Sequence, residues 1–204
     1  MKILNKNRSI ALLVAGAVIL FCLLIARPLI RSFNSEDVPP TPLSDIVLQL
    51  EDLNPELFEQ DGQSRQCDKY LFIEPLQNDV TQTPVDCYQV KFSTLDDSVI
   101  LLNAIWLFDT PVKAELEINR FAELIPAADN LDMNIVAFPV PLGDKNTAST
   151  AIVTGGISPL HVTNLYWKHE SAVVRLSVLR YQAPVPLEEV MMPAQRIEAR
   201  LASR

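Results

Sequence analysis

The sequence predicts an α+β domain behind an N-terminal transmembrane helix: an antiparallel sheet with two main helices packed on one face. Three observations predict it. Ser9 to Ala26 is an uncharged run of 18 residues. Residues 86–181 hold several runs rich in branched and aromatic residues, joined by short links. Two amphipathic stretches, near 111–125 and 187–202, carry apolar residues at helical spacing.

The run from Ser9 to Ala26 comes first. At about 1.5 Å per residue it makes roughly 27 Å of helix, close to the apolar thickness of a bilayer. A cleaved leader has a shorter apolar region, roughly 7–15 residues, and ends on small residues. Here the run closes in Leu24-Ile25-Ala26 and Arg27-Pro28, a poor cleavage site. Cys22 follows Phe21 where a lipid-attachment box needs a small residue. The reading is a retained anchor, with a cleaved signal as the alternative. Lys2, Lys6 and Arg8 precede the run, which favours a cytoplasmic N-terminus and an extracytoplasmic domain. The chain then divides into a stub and anchor (1–33), a Pro-rich linker (34–43) and one domain (44–204). The lipid bilayer is met through residues 9–26.

Charge narrows the function. All 25 acidic residues fall after residue 33, but only 12 of the 17 Lys and Arg do, since Lys2, Lys6, Arg8, Arg27 and Arg31 lie before it; residues 34–204 carry a net −13. A nucleic-acid binder needs a basic footprint, so nucleic acid is excluded as a partner. Cys67 and Cys87 are the cysteines outside the apolar run. A pair in an oxidising compartment reads first as a disulfide, with two free thiols or half of a metal site as the alternative.

Along the domain, Ser44 to Leu53 has a capping residue and apolar Ile46, Val47, Leu50 and Leu53, which predicts a short helix. Runs at 69–75 and 87–93 read as strands. "SVILLNAIWLFDT" is the strongest strand. Ile100, Leu102, Ala104, Trp106 and Phe108 line one face; Val99, Leu101, Ile105 and Leu107 line the other, where Asn103 alone is polar. Both faces must be covered. Thr110 caps and Pro111 opens the helix that follows, with a stripe of Ala114, Ile118, Phe121, Ala122 and Ile125. Four strands come next, in 133–140, 149–154, 160–169 and 172–181, the last two joined by the turn Glu170-Ser171. The final helix shows Leu187, Val190, Met191, Ala194, Ile197 and Leu201; Pro193 predicts a kink or a start near Met192.

Three patterns carry a resemblance. Leu50 to Pro55 approximates an "L-x-D-L-P" segment, "WLFDTPVKAELEINRFAEL" runs strand into helix, and Leu142-Gly143-Asp144 precedes the strand pair and a helix ending in Arg200-Leu201. In that order they resemble bacterial exported, membrane- or lipid-anchored α+β proteins, similar in outline to the PsbP-type fold. The resemblance implies an extracytoplasmic sensor or binding domain and not an enzyme, and it brings no site residues.

The residues themselves supply little chemistry. The sequence has no nucleophile elbow, no His-Glu-x-x-His and no glycine-rich phosphate loop. His161 and His169 lie on one strand, about 26 Å apart if it is regular, too far to share a metal. Asp96-Asp97 and Leu142-Gly143-Asp144 read as turns. No cofactor, metal ligand or catalytic residue is predicted. Trp106, Tyr166, Trp167 and Tyr181 form a candidate binding face. Adjacent Tyr166 and Trp167 must point to opposite sides, and the N-terminal segment is the alternative cover for one of them. The expected function is binding of a small ligand or a protein partner, sensor-like; an assembly subunit of an envelope complex is the alternative, and a secreted hydrolase ranks third.

Overall fold

A computed structural model describes residues 43–67, 82–124, 136–154 and 158–204. The anchor at 9–26, the linker at 34–43 apart from its last residue, and the strand expected at 69–75 lie outside these residues; that last residue, Leu43, is buried in the domain core. Among the described residues no helix is long and apolar enough to cross a membrane.

Seven strands form one antiparallel sheet: β1 (Phe58–Ser64), β2 (Asp86–Thr94), β3 (Val99–Leu107), β4 (Val136–Phe138), β5 (Lys145–Val153), β6 (Leu160–His169) and β7 (Ala172–Tyr181). Their spatial order is β1-β2-β3-β7-β6-β5-β4, so β7 returns to pair with β3 at the centre. Helix α1 (Pro111–Leu124) follows β3, and α2 (Leu187–Ala202) closes the chain. The hairpins β2–β3 and β6–β7 form where short polar turns interrupt apolar runs. Asp97 and Glu170 supply the positive φ these turns need, at 57° and 50°.

The central strand β3 divides as its sequence requires. Leu101 and Ile105 enter one core with Tyr88, Val90, Phe92, Leu165, Trp167, Val174 and Leu176. Ala104, Trp106 and Phe108 enter the other with Cys87, Tyr166 and Val173. Helix α2 supplies Val190, Ala194, Ile197 and Leu201 to the first core, together with Leu43, Ile46, Val47 and Leu48 of the entering segment. Helix α1 supplies Ala114, Ile118 and Phe121 to the second. The two helices therefore lie on opposite faces, which corrects the expectation of a single helical layer. The reason is in β3 itself: a strand apolar on both sides exposes one apolar row unless both faces are covered.

Three further expectations change. Residues 44–53 form a turn and a single turn of 3-10 helix at Leu50–Asp52, not an α-helix. Tertiary bonds fix this segment: Leu48 N–H donates to Asn103 Oδ1 at 2.8 Å, and the Arg200 guanidinium donates to Val47 O at 3.0 Å. β1 is an edge strand that the pattern missed, because "FEQDGQS" has little apolar alternation and a bulge between Gln60 and Gly62. The final helix, α2, keeps its expected span of Leu187–Ala202 and does not start near Met192, since one missing amide donor does not end a helix whose apolar stripe is buried on both sides of it. In α1, Ala122 is exposed and Ile125 lies outside the described residues.

Candidate functional site

The disulfide Cys67–Cys87 is present, with Cα atoms 5.5 Å apart. Cys87 is paired in register with Trp106, and both belong to the α1-side core. The bond ties the segment after β1 to the second strand and fixes one border of that face.

The four aromatic residues of the candidate binding face are divided by the sheet. Trp106 and Tyr166 share the α1 side. Trp167 lies in the α2-side core, where its indole Nε1–H donates to Glu198 Oε2 at 2.8 Å. Tyr181 is exposed at the end of β7. They do not form one surface, because side chains alternate along a strand.

The α1 side holds a feature the sequence reading missed. Next to the apolar cluster lies a strip of buried polar side chains. Lys91, Leu102, Ser177, Asn164 and Ser149 are successive register partners across β2, β3, β7, β6 and β5. All but Leu102 are polar, and all are buried. Arg175 Nε–H donates to Ser177 Oγ at 2.9 Å, and Ser177 Oγ–H donates to Asn164 Oδ1 at 2.6 Å. At the β1 border, the Lys91 ammonium pairs with Asp61, which sits at the bulge. Burial of such groups is tolerated only with partners of this kind.

Aromatic rings roof one end of the strip. Phe121 of α1 stacks on Tyr166 with centroids 4.6 Å apart, and the Arg175 guanidinium lies 5.6 Å from the Tyr166 ring. Glu117 of α1 is fully buried and pairs with Arg120. A helix that buries a Glu and exposes Val112 and Leu116 has an unusual polarity. The signal of the polar strip was legible only in pairs: Arg175 and Ser177 alternate with Val174, Leu176 and Val178, which reads equally well as a solvent face.

On the α2 side, His169 Nδ1 lies 2.8 Å from Glu198 Oε1, and His161 is half-buried on the same side of β6. No carboxylate–serine constellation surrounds either in the described residues. Leu142-Gly143-Asp144 is a turn: Asp144 binds the next hairpin through Glu170 N–H at 2.8 Å and the Lys168 ammonium at 3.2 Å. Among the described residues no group of three or more His, Cys, Asp or Glu could hold a metal ion.

No family model matches the chain, and no curated protein matches it. Among solved structures it is similar to the extracellular domain of PknH from Mycobacterium tuberculosis. The TM-score is 0.57 at 13% identity, covering 79% of this chain and 95% of that one. The shared property is the fold, and a likeness this distant in sequence leaves the side chains free to differ.

Proposed function

We propose that this chain is a membrane-anchored, extracytoplasmic binding domain of the sensor type, held by residues 9–26 and acting through a ligand or protein partner. The polar strip of Lys91, Ser177, Asn164 and Ser149, buried on the α1 side of the sheet, carries the reading. A domain that only needed stability would place apolar residues there, as it does on the other side. A hydrogen-bonded polar floor beside stacked aromatic rings is what recognition of a small polar ligand requires. The likeness to an extracellular domain agrees with a position outside the cytoplasm, and so does the disulfide. The test is native mass spectrometry of the full chain released from its membrane. A co-purifying small molecule, lost in Asn164→Leu, supports ligand binding. A bare chain turns the reading towards assembly, a role that the exposed Leu57 and Leu95 favour.

A further inference from the structure

We propose that the end of the sheet bearing Leu57, Leu95 and Tyr181 is a docking surface for a protein partner that presents basic and apolar side chains together. The inference rests on the reading of the chain as a binding module and names one surface and the chemistry it selects.

The three side chains are 55%, 72% and 46% exposed. They adjoin one another through the backbone. Leu95 N–H donates to Leu57 O at 3.4 Å, and Tyr181 N–H donates to Ser98 O at 3.2 Å, so the β1 start, the β2–β3 turn and the β7 end form one rim. Leu160, the register partner of Tyr181, continues it. Neither core of the sheet uses Leu57, Leu95 or Tyr181. Scattered surface leucines are ordinary, but three large apolar side chains on one rim are a patch.

The tip is held in place. Asp96 Oδ1 accepts from Thr94 Oγ1–H at 2.7 Å and from Ser98 N–H at 3.1 Å. These bonds, the one from Thr94 first, hold its carboxyl at about 2. Leu95 is thus presented on a rigid turn, which lowers the entropic cost of docking.

Charge selects the occupant. Glu56, Asp96, Asp97 and Glu188 are exposed near this rim, and Arg180, the basic residue beside it, is paired with Glu189. A second copy of this chain would set carboxylates against carboxylates, and anionic lipid would be repelled. A basic partner gains on both counts. The rim also stands clear of the point where the chain enters the domain. Asp45 lies 3.5 Å from Arg204 at the C-terminal end of α2, whereas the Arg180–Glu189 pair ties the N-terminal end of α2 to the rim.

The test uses the full chain in discs of zwitterionic lipid and the labelled pentapeptide Lys-Leu-Lys-Leu-Lys, with empty discs as background. Fluorescence anisotropy should show binding that weakens with salt. The double variant Leu57→Ser/Leu95→Ser should weaken it about tenfold. Val112→Ser/Leu116→Ser, an exposed apolar pair on α1 away from the rim, should leave it unchanged. Asp96→Asn/Asp97→Asn should weaken it and flatten its salt dependence. Equal effects of the two apolar pairs, or no effect of Leu57→Ser/Leu95→Ser, would mean attraction by net charge alone and overturn the proposal. A dimer in sedimentation that Leu95→Ser dissolves would assign the rim to a second copy, also overturning it. Failure here with a ligand still found by native mass spectrometry leaves the binding-module reading standing; failure of both removes it.

Discussion

Asp144 and Glu170 are 26 residues apart in sequence, yet the Asp144 carboxylate accepts the Glu170 backbone N–H at 2.8 Å. The contact locks the β6–β7 hairpin to the turn before β5. Asp144 N–H donates back to Lys168 O at 2.7 Å, and Gly143 makes the close approach. Its φ is +55°, and a Cβ there would lie 2.2 Å from Lys168 O. The Leu142-Gly143-Asp144 pattern is therefore a clamp between two turns.

Gly143→Ala should be among the most damaging single changes in the domain. The new methyl meets backbone rather than a movable side chain, and the positive φ adds strain. The cost should be at least about 1–3 kcal/mol. Chemical denaturation of the full chain, followed by far-ultraviolet circular dichroism, would measure it. An unchanged midpoint would mean that the turn relaxes freely.

Asp144 also gives a pH dependence. The Glu170 N–H bond, then the Lys168 bond, hold its carboxyl below the ordinary Asp value of 3.8. A carboxylate depressed in the folded state contributes stability above its unfolded pKa and loses it as pH falls through the folded value. The gap between the wild type and Asp144→Asn should be constant near neutrality and should close below about pH 4. The side chain is half exposed, so the gap will be small. Midpoints of paired denaturation curves at several pH values would show it; a gap that widens in acid would contradict the assignment.

The Cys67–Cys87 bond closes a loop with a sequence separation of 20. In the chain-entropy model such a loop contributes about 3 kcal/mol. Reduction, or Cys67→Ser, should lower the denaturation midpoint accordingly. Because Cys87 is the register partner of buried Trp106, reduction should also change tryptophan emission before global unfolding. Coincident changes in emission and circular dichroism would show that the face does not loosen separately.

Asn103 makes the entering segment part of the domain. Its Nδ2–H donates to Arg175 O at 2.8 Å, while its Oδ1 accepts Leu48 N–H at 2.8 Å. Asn103→Leu removes both bonds and takes from the buried Leu48 N–H its acceptor, at about 1–3 kcal/mol. Hydrogen exchange should accelerate first at Leu48 and its neighbours, because they pack on β3 through this residue. Uniform acceleration across the sheet would place the loss in the global fold instead.

Much of this arrangement was legible in the sequence. The two apolar rows of β3, Leu101 and Ile105 against Ala104, Trp106 and Phe108, required a cover on each face, and each row has one. What failed followed from alternatives with equal local cost. Ile46, Val47, Leu50 and Leu53 suit a helix, but an irregular segment buries Ile46 and Val47 and half-buries Leu50 and Leu53, while Asn103 and Arg200 satisfy its backbone. The edge strand β1 needs only one apolar side, and Asp61 at its bulge looks like loop chemistry until Lys91 is seen beside it. Which helix covers which face depends on β7 inserting next to β3, a long-range pairing with no local signature.

Glu198 gives the last prediction. One carboxylate on α2 reaches two residues of the same β6 face: Oε2 accepts the buried Trp167 indole N–H at 2.8 Å, and Oε1 meets His169 Nδ1 at 2.8 Å. The Trp167 bond is the more costly to lose, since an indole N–H buried without a partner keeps its full desolvation penalty, about 1–3 kcal/mol. His169 stays partly exposed and can turn to water. Glu198→Gln keeps an amide oxygen for the indole and should be nearly neutral, whereas Glu198→Leu should destabilise by that amount and shift Trp167 emission to the blue. If both variants lose the same stability, the His169 contact rather than the indole bond holds α2 to the sheet.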